Sequence, residues 1–409
     1  MEEVRWALML KPRSCNYKKP SSMATSNSGR GNYVSEWFGQ RIHPEVRLDY
    51  TAISGTNAGK CPFLSEVLHH QTNCVKNENS KGVCTISSSS NGHRQDWLVC
   101  PYRVISSSIV TRGCQLIFGL TEPVEPVPVP ILNTGEELAR FIETVNARGA
   151  GYVFFQDKLG GEISVIGTNR SPEMSFDITI VEIKPDGTGG FMVSRYGILE
   201  LQTMDYHGTY KHAVSNLRDA LRLHEDTFAA ALRKNLGRWS GQDVEGPNIA
   251  NVFKRTFYQM LLKFRLAGEG SAAAGTVLAI PQSVWDSWQP FLGAPELEDE
   301  APGIKRLCVA ADAPPEPQLN AYICVFDLDS ASDCAVSPVT IKHFIRMSPE
   351  RLAHHAFTEV PAHILHAIQT EESVLATIKQ RLGQWWPIFQ TRSPRSRRRT
   401  ATTPSNPTD

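Results

Sequence analysis

The chain lacks a net charge: 42 basic side chains meet 42 acidic ones, so bulk charge does not announce a polyanionic partner. Where the charges lie still matters for steering. It also lacks an apolar run of about 18 residues, the length that a membrane span requires. The N-terminal WALML is too short and too poorly flanked for a signal peptide, so the expected location is the cytoplasm. No internal repeat and no CxxC pair occurs. Nine cysteines is an odd number, and a reducing compartment disfavours a disulfide framework. What is present is globular in character. Hydrophobic residues make up 41% and charged residues 21% of 409, enough for two or three domains and a sizeable core.

Residues 1–30 are polar and without periodicity, and read as a disordered extension in which Met23 offers an alternative start. Residues 31–120 are rich in Gly, Ser and Cys and short of long helical patterns, as in a small metal-stapled domain. The alternating prolines of TEPVEPVPVP cannot support a helix, so residues 121–132 read as an extended linker. Residues 133–388 are regular. Thr134 caps a helix ending near Arg148, and GYVFF, GEISVIG, SFDITIVEI and FMVSRYGILELQ read as strands. PDGTGG between the last two predicts a hairpin. Long helical patterns follow over 210–235 and 248–266, then strands at 306–311 and 320–328 and a helix over 371–385. Residues 389–409 form an Arg-rich tail, expected to be disordered. Helix, strand meander, helix and further strands give an α/β fold with a mixed central sheet flanked by helices.

Alternation places Ile198, Glu200 and Gln202 on one face of their strand and Leu199 and Leu201 on the other. Asp177 sits among Phe176, Ile178 and Ile180, and Glu162 lies on the strand before. Carboxylates in apolar runs are costly unless they bind something, and a hard divalent cation such as Mg²⁺ suits them. An acidic residue followed by Glu-x-Gln resembles the PD-(D/E)xK nuclease signature, with Gln202 in place of Lys. A rival register, Glu182-x-Lys184, fails because Asp177 and Glu182 face opposite sides of one strand.

Cys61, Cys74, Cys84 and Cys100 form the second constellation. Nearby Pro62, Gly82, Gly92 and Pro101 let the chain fold back so that four thiolates converge. A tetrahedral all-thiolate site accepts zinc or iron, so the spacing leaves the metal open. His69, His70 and His93 are alternative ligands, read here as ordinary loop residues.

Longer blocks carry a resemblance. FFQDKLGGEISV, SPEMSFDITI, RYGILELQTMDYHGTYKHAV, EGPNIANVFKRTFYQM and AIPQSVW are similar to the NotI restriction endonuclease family. So are GNYVSEWFGQRIHPEV, CPFL, CVK, GVC and DWLVCP upstream. The resemblance runs from about Gly31 to the strands near residue 330 and weakens beyond. It implies a PD-(D/E)xK nuclease-like core with catalytic Glu162, Asp177, Glu200 and Gln202, the first three serving Mg²⁺. It further implies one structural iron ion held by Cys61, Cys74, Cys84 and Cys100 in a small N-terminal domain. The implied activity is that of a type II restriction endonuclease, a homodimer cutting double-stranded DNA at a GCGGCCGC-like palindrome. Such an enzyme needs a protecting DNA methyltransferase encoded nearby.

DNA-facing residues are harder to assign. Lys254, Arg255 and Lys263 alternate with Phe253, Phe257, Tyr258 and Phe264 on one helix; the aromatics read as core, while the basic residues are open between phosphate contact and a solvated edge. His207 and Lys211 lie near the acidic strands and can supply positive charge, as can the tail arginines from Arg392 to Arg399. Lys158, Arg170 and Arg195 are the expected base readers by their closeness to those strands. The competing reading is a metal-stapled DNA-binding or regulatory protein with an inactive nuclease core.

Overall fold

A computed structural model describes residues 31–388 apart from 49–58, 91–92, 207–208, 268–271, 309–319, 330–331, 333, 372 and 387. The N-terminal extension, His207 and the Arg-rich tail therefore lie outside the described residues.

The first part of the chain builds a four-stranded sheet. It contains β1 (Tyr33–Trp37), β2 (Gln40–Arg41), β3 (Val83–Ser90) and β4 (His93–Leu98), in the order β2-β1-β3-β4. The short helix α1 (Pro62–Val67) is inserted before β3, and α2 (Tyr102–Ile105) and α3 (Ser108–Phe118) follow β4. The prolines then give a brief strand, β5 (Val127–Pro128), rather than a free linker: it pairs in parallel with β6 (Gly151–Gln156). Proline is tolerated there because β5 is a sheet edge. Between them runs α4 (Gly135–Arg148), capped by the Thr134 hydroxyl, which accepts from the Glu137 N–H.

Two short strands, β7 (Ile163–Val165) and β8 (Met174–Phe176), pair with each other. The expected hairpin follows as β9 (Ile178–Pro185) and β10 (Phe191–Leu201). The helical pattern over 210–235 breaks at His224 into α5 (Lys211–Leu223) and α6 (Phe228–Lys234), with α7 (Leu236–Ser240) close behind. The polar His-Glu-Asp-Thr segment at the break forms a 3₁₀ turn instead. Then come α8 (Ile249–Leu266), β11 (Ala273–Pro281), α9 (Gln282–Leu292), β12 (Leu297–Ala301), β13 (Ile304–Leu307), β14 (Ala321–Leu328) and β15 (Val339–Arg346). Helices α10 (Pro349–His354), α11 (Val360–Glu371) and α12 (Ser373–Trp385) complete the chain.

The central sheet has nine strands in the order β12-β13-β15-β14-β11-β10-β9-β6-β5. It is mixed: β10, β11 and β14 run parallel, while β6, β9 and β10 alternate in direction. Alternation sorts its side chains onto two faces. Leu199, Val277, Ala279 and Cys324 join Ile109, Cys114 and Ile117 of α3 in one cluster. Leu278, Ile280, Ile323 and Val325 join Val252, Met260 and Phe264 of α8 and Trp288 of α9 in another. Helices thus cover both faces of a mixed sheet, and the expected fold class holds at that level.

The four-cysteine region shares its buried surface with the rest of the chain. Val34, Trp37, Val83 and Ile86 pack on Val214, Leu217, Phe228 and Leu232 of α5 and α6. A buried ion network adds a tie: Arg103 donates to Glu36 at 2.7 Å, and Glu36 accepts the Ser337 N–H at 3.2 Å. Among the described residues, no helix is long and apolar enough to cross a membrane.

Candidate active site

Asp177 occupies the break between β8 and β9, and Glu200 is the penultimate residue of the adjacent β10. The two strand ends are clasped by each other's side chains. Asp177 Oδ2 accepts the Leu201 N–H at 2.9 Å, and Glu200 Oε1 accepts the Asp177 N–H at 3.3 Å. Leu199 faces α3, so Glu200 faces α8, where its neighbour across the sheet is Leu278. Glu162 precedes β7 on an exposed segment, accepts from the Ser175 hydroxyl, and is close enough to Asp177 to feel its charge. The sheet therefore brings Glu162, Asp177 and Glu200 to one locality.

Helix α8 forms the opposite wall. Lys263 Nζ donates to Glu200 Oε2 at 2.5 Å. About two turns earlier on the same face of α8, the Thr256 hydroxyl donates to Gln202 Oε1, whose Nε2 in turn donates to the Thr203 carbonyl. Asp177, Glu200, Gln202, Thr256 and Gln259 are the polar lining of a cavity of about 30 Å³, closed below by Met260, Phe264 and Leu278. That is room for ordered water or a small ion.

Electrostatics make this a strained set of acids. Burial, reinforced by the Asp177 charge, pushes Glu200 up to about 7 although Lys263 pulls the other way. Burial raises Asp177 against the opposing Leu201 N–H and the charges of Lys263 and Arg255. Glu162 is raised by burial and then by Asp177. Oxygen donors whose ionised forms repel one another are the kind a hard divalent cation takes. Yet among the described residues no three or more Asp, Glu, His or Cys side chains gather closely enough to hold a metal, so at most Asp177 and Glu200 come together. Glu182, by contrast, is committed elsewhere. It lies on the α3 face and binds Arg195 through two 2.9 Å hydrogen bonds, Lys184 at 3.1 Å and the Tyr152 hydroxyl.

Cys61 caps α1, its sulfur accepting the Leu64 N–H at 3.4 Å. Cys74 accepts from the Gly82 N–H at 3.4 Å. Cys100 accepts from the Tyr102 and Arg103 N–H groups and is hydrogen-bonded to Cys84, which holds the Cys100 thiol down and the Cys84 thiol up. Burial pushes Cys61 up to about 12. Sulfurs that accept backbone N–H bonds and sense one another's charge are a donor set suited to a soft ion. Even so, among the described residues no group of three or more Cys, His, Asp or Glu side chains closes into a metal cage. His69, His70 and His93 are exposed.

The other basic residues are dispersed. Lys158 is exposed and pairs with Asp157, Arg170 is exposed in a turn, and Lys211 is exposed at the start of α5. Arg195 serves Glu182 on the far face of the sheet, away from the carboxylates. Arg255 is exposed and pairs with Asp205 at 2.6 Å. Thr256 was not among the residues singled out by sequence, and Lys263 was singled out only as one of three basic residues on its helix, not as the partner of Glu200. Their signal was a hydroxyl and an ammonium spaced at helical intervals within an otherwise apolar stripe. No protein-family model and no curated protein matches the chain.

Proposed function

We propose that this protein is a Mg²⁺-dependent type II restriction endonuclease with a PD-(D/E)xK-like core, acting on double-stranded DNA at a long G/C-rich palindrome of the GCGGCCGC kind. The observation that carries this reading is the mutual clasp of Asp177 and Glu200 at the ends of adjacent strands, with Glu162 beside them. The sequence blocks similar to the NotI family support it from a separate direction.

Asp177 and Glu200 would hold the Mg²⁺ ion, with Glu162 at its outer edge; bound there, the ion would acidify the attacking water and offset charge on the phosphate. Gln202 does not titrate, so it is no general base. Anchored by Thr256, its amide orients water beside the carboxylates. Cys61, Cys74, Cys84 and Cys100 would hold one iron ion, or zinc, in a structural role. Two copies related by a two-fold axis would present one site to each strand of the palindrome. A methyltransferase protecting the same sequence belongs with such an activity.

The test is cleavage of a plasmid carrying GCGGCCGC, with DNA retention measured in parallel. Asp177→Asn and Glu200→Gln are expected to lose at least about 100-fold in cleavage rate while binding DNA within about tenfold of wild type. Near-normal cutting by either variant overturns the site assignment. Failure of the unaltered protein to cut any duplex with Mg²⁺ overturns the activity.

A further inference from the structure

We propose that Lys263 supplies, from helix α8, the positive charge that the PD-(D/E)xK pattern places two residues after Glu200, and that its ammonium contacts the phosphate being cut. This rests on the phosphodiester-hydrolysis reading above and adds to it a residue that the strand motif does not contain.

Position 202 carries an uncharged amide, so the strand brings no cation to the site. The helix does. Lys263 is buried to 3% exposure, yet its Nζ ends 2.5 Å from Glu200 Oε2. Its stem passes the Phe176 ring, with Nζ 5.8 Å from the ring centroid, and its own carbonyl accepts the Thr276 hydroxyl at 3.2 Å. Helix, strand and ring thus fix where the ammonium arrives. A buried ion pair is on average no more stabilising than apolar side chains of the same volume. Packing alone therefore does not call for Lys; pairing the buried Glu200 does, and that pairing holds an ammonium at the acids. Other basic side chains near these strands have other partners: Arg255 pairs with Asp205 and Lys158 with Asp157 at the surface, and Arg195 with Glu182 on the opposite face of the sheet.

The chemistry asks for a fixed cation and nothing more from this residue. In hydrolysis the oxygen of one water bonds to phosphorus, the bond from phosphorus to the 3′ oxygen breaks, and that oxygen leaves with a proton taken from water. Negative charge grows on the non-bridging oxygens as this happens. Lys263 Nζ donates a hydrogen bond to one of those oxygens, which is electrostatic stabilisation by a group already in place.

Two measurements test this. In single-turnover cleavage with Mg²⁺, Lys263→Met should lose about 100-fold or more. Gln202→Lys/Lys263→Met, which moves the charge to the strand, should recover to within about tenfold of wild type. A purely structural Lys263 would not be rescued by a charge elsewhere. The second measurement needs no cleavage and no divalent ion: the salt dependence of duplex binding by Glu200→Gln against Glu200→Gln/Lys263→Met. Neither of these two variants leaves Glu200 as an unpaired buried carboxylate, so both should fold. Losing one phosphate contact should reduce the slope of log affinity against log salt by about 0.9. Equal slopes, or wild-type cutting by Lys263→Met, overturn the proposal and leave the nuclease reading standing. A slope difference in a protein that cuts no DNA would sink the nuclease reading and keep the phosphate contact. A protein that neither binds nor cuts duplex sinks both.

Discussion

His43 sits buried against the ring of Tyr33, stacked at a centroid distance of 4.5 Å, with Arg41 and Arg94 nearby. Burial first, and then the charges of Arg94 and Arg41, hold its pKa at about 4 against an ordinary 6.5. The folded pKa lies below the unfolded one, so the unfolded chain takes up the proton first as pH falls. The contribution of neutral His43 is therefore complete above about 6.5 and is lost as pH drops through about 4, a loss of roughly 3 kcal/mol. His43→Phe keeps the stack and removes the titration. Its denaturation midpoint should fall less steeply than wild type between pH 6.5 and 4, as urea titrations at several pH values will measure. Parallel pH profiles would show that His43 does not set the acid limit. At this scale the carboxylates that the sheet brings together, Asp177 and Glu200 with Glu162 near them, were conspicuous in the sequence, because a charge in an alternating apolar strand stands out. Lys263 was readable only as one of three basic residues with Lys254 and Arg255, which are exposed, and packing against the sheet is what tells them apart.

Helix α3 lies unusually close to the sheet. Gly197 of β10 faces it, and a methyl group there would stand 2.1 Å from Ile117 Cγ2. Gly113 on the helix meets Leu199 from the other side, where an added carbon would come within 2.7 Å. Gly197→Ala should therefore destabilise the protein by about 1–3 kcal/mol through overpacking. Gly135→Ala, at the start of α4 with open space around it, should be neutral or slightly stabilising. Thermal unfolding of both variants checks the pair; an unchanged midpoint in Gly197→Ala would mean the helix can lift away freely. Elements with strong local signals were legible, among them the β9–β10 hairpin with its PDGTGG turn and the α4 helix with its Thr134 cap. The N-terminal sheet was not. Its β3 contains a serine run that reads as loop by composition, yet Ser87 and Ser88 are buried and paired with β4. Tertiary pairing overrode a weak local preference there.

Across the whole molecule, the region read as a separate metal-stapled domain proves to be joined to the rest through a common core. Its small sheet is covered by α5 and α6, and Cys61, Cys84 and Cys100 belong to the same cluster as the α3 face of the central sheet. Damage at the cysteines should accordingly travel. In Cys84→Ser/Cys100→Ser, amide exchange should accelerate over 83–104 and over 211–240 together, while α8, packed in a different cluster, keeps its protection. Acceleration limited to the cysteine segments would show a self-contained module after all. Domain organisation was the least legible property, since proline content marks where a chain is extended and says nothing of what it pairs with.

The clasp between Asp177 and Glu200 has a consequence in time. The acidic centre exists only where two strand ends hold each other, and its ammonium arrives from 63 residues further along the chain. A nascent or broken chain that lacks α8 carries the acids without their wall. Whatever this pocket does therefore begins only once the chain has folded through α8, so that assembly itself is the switch.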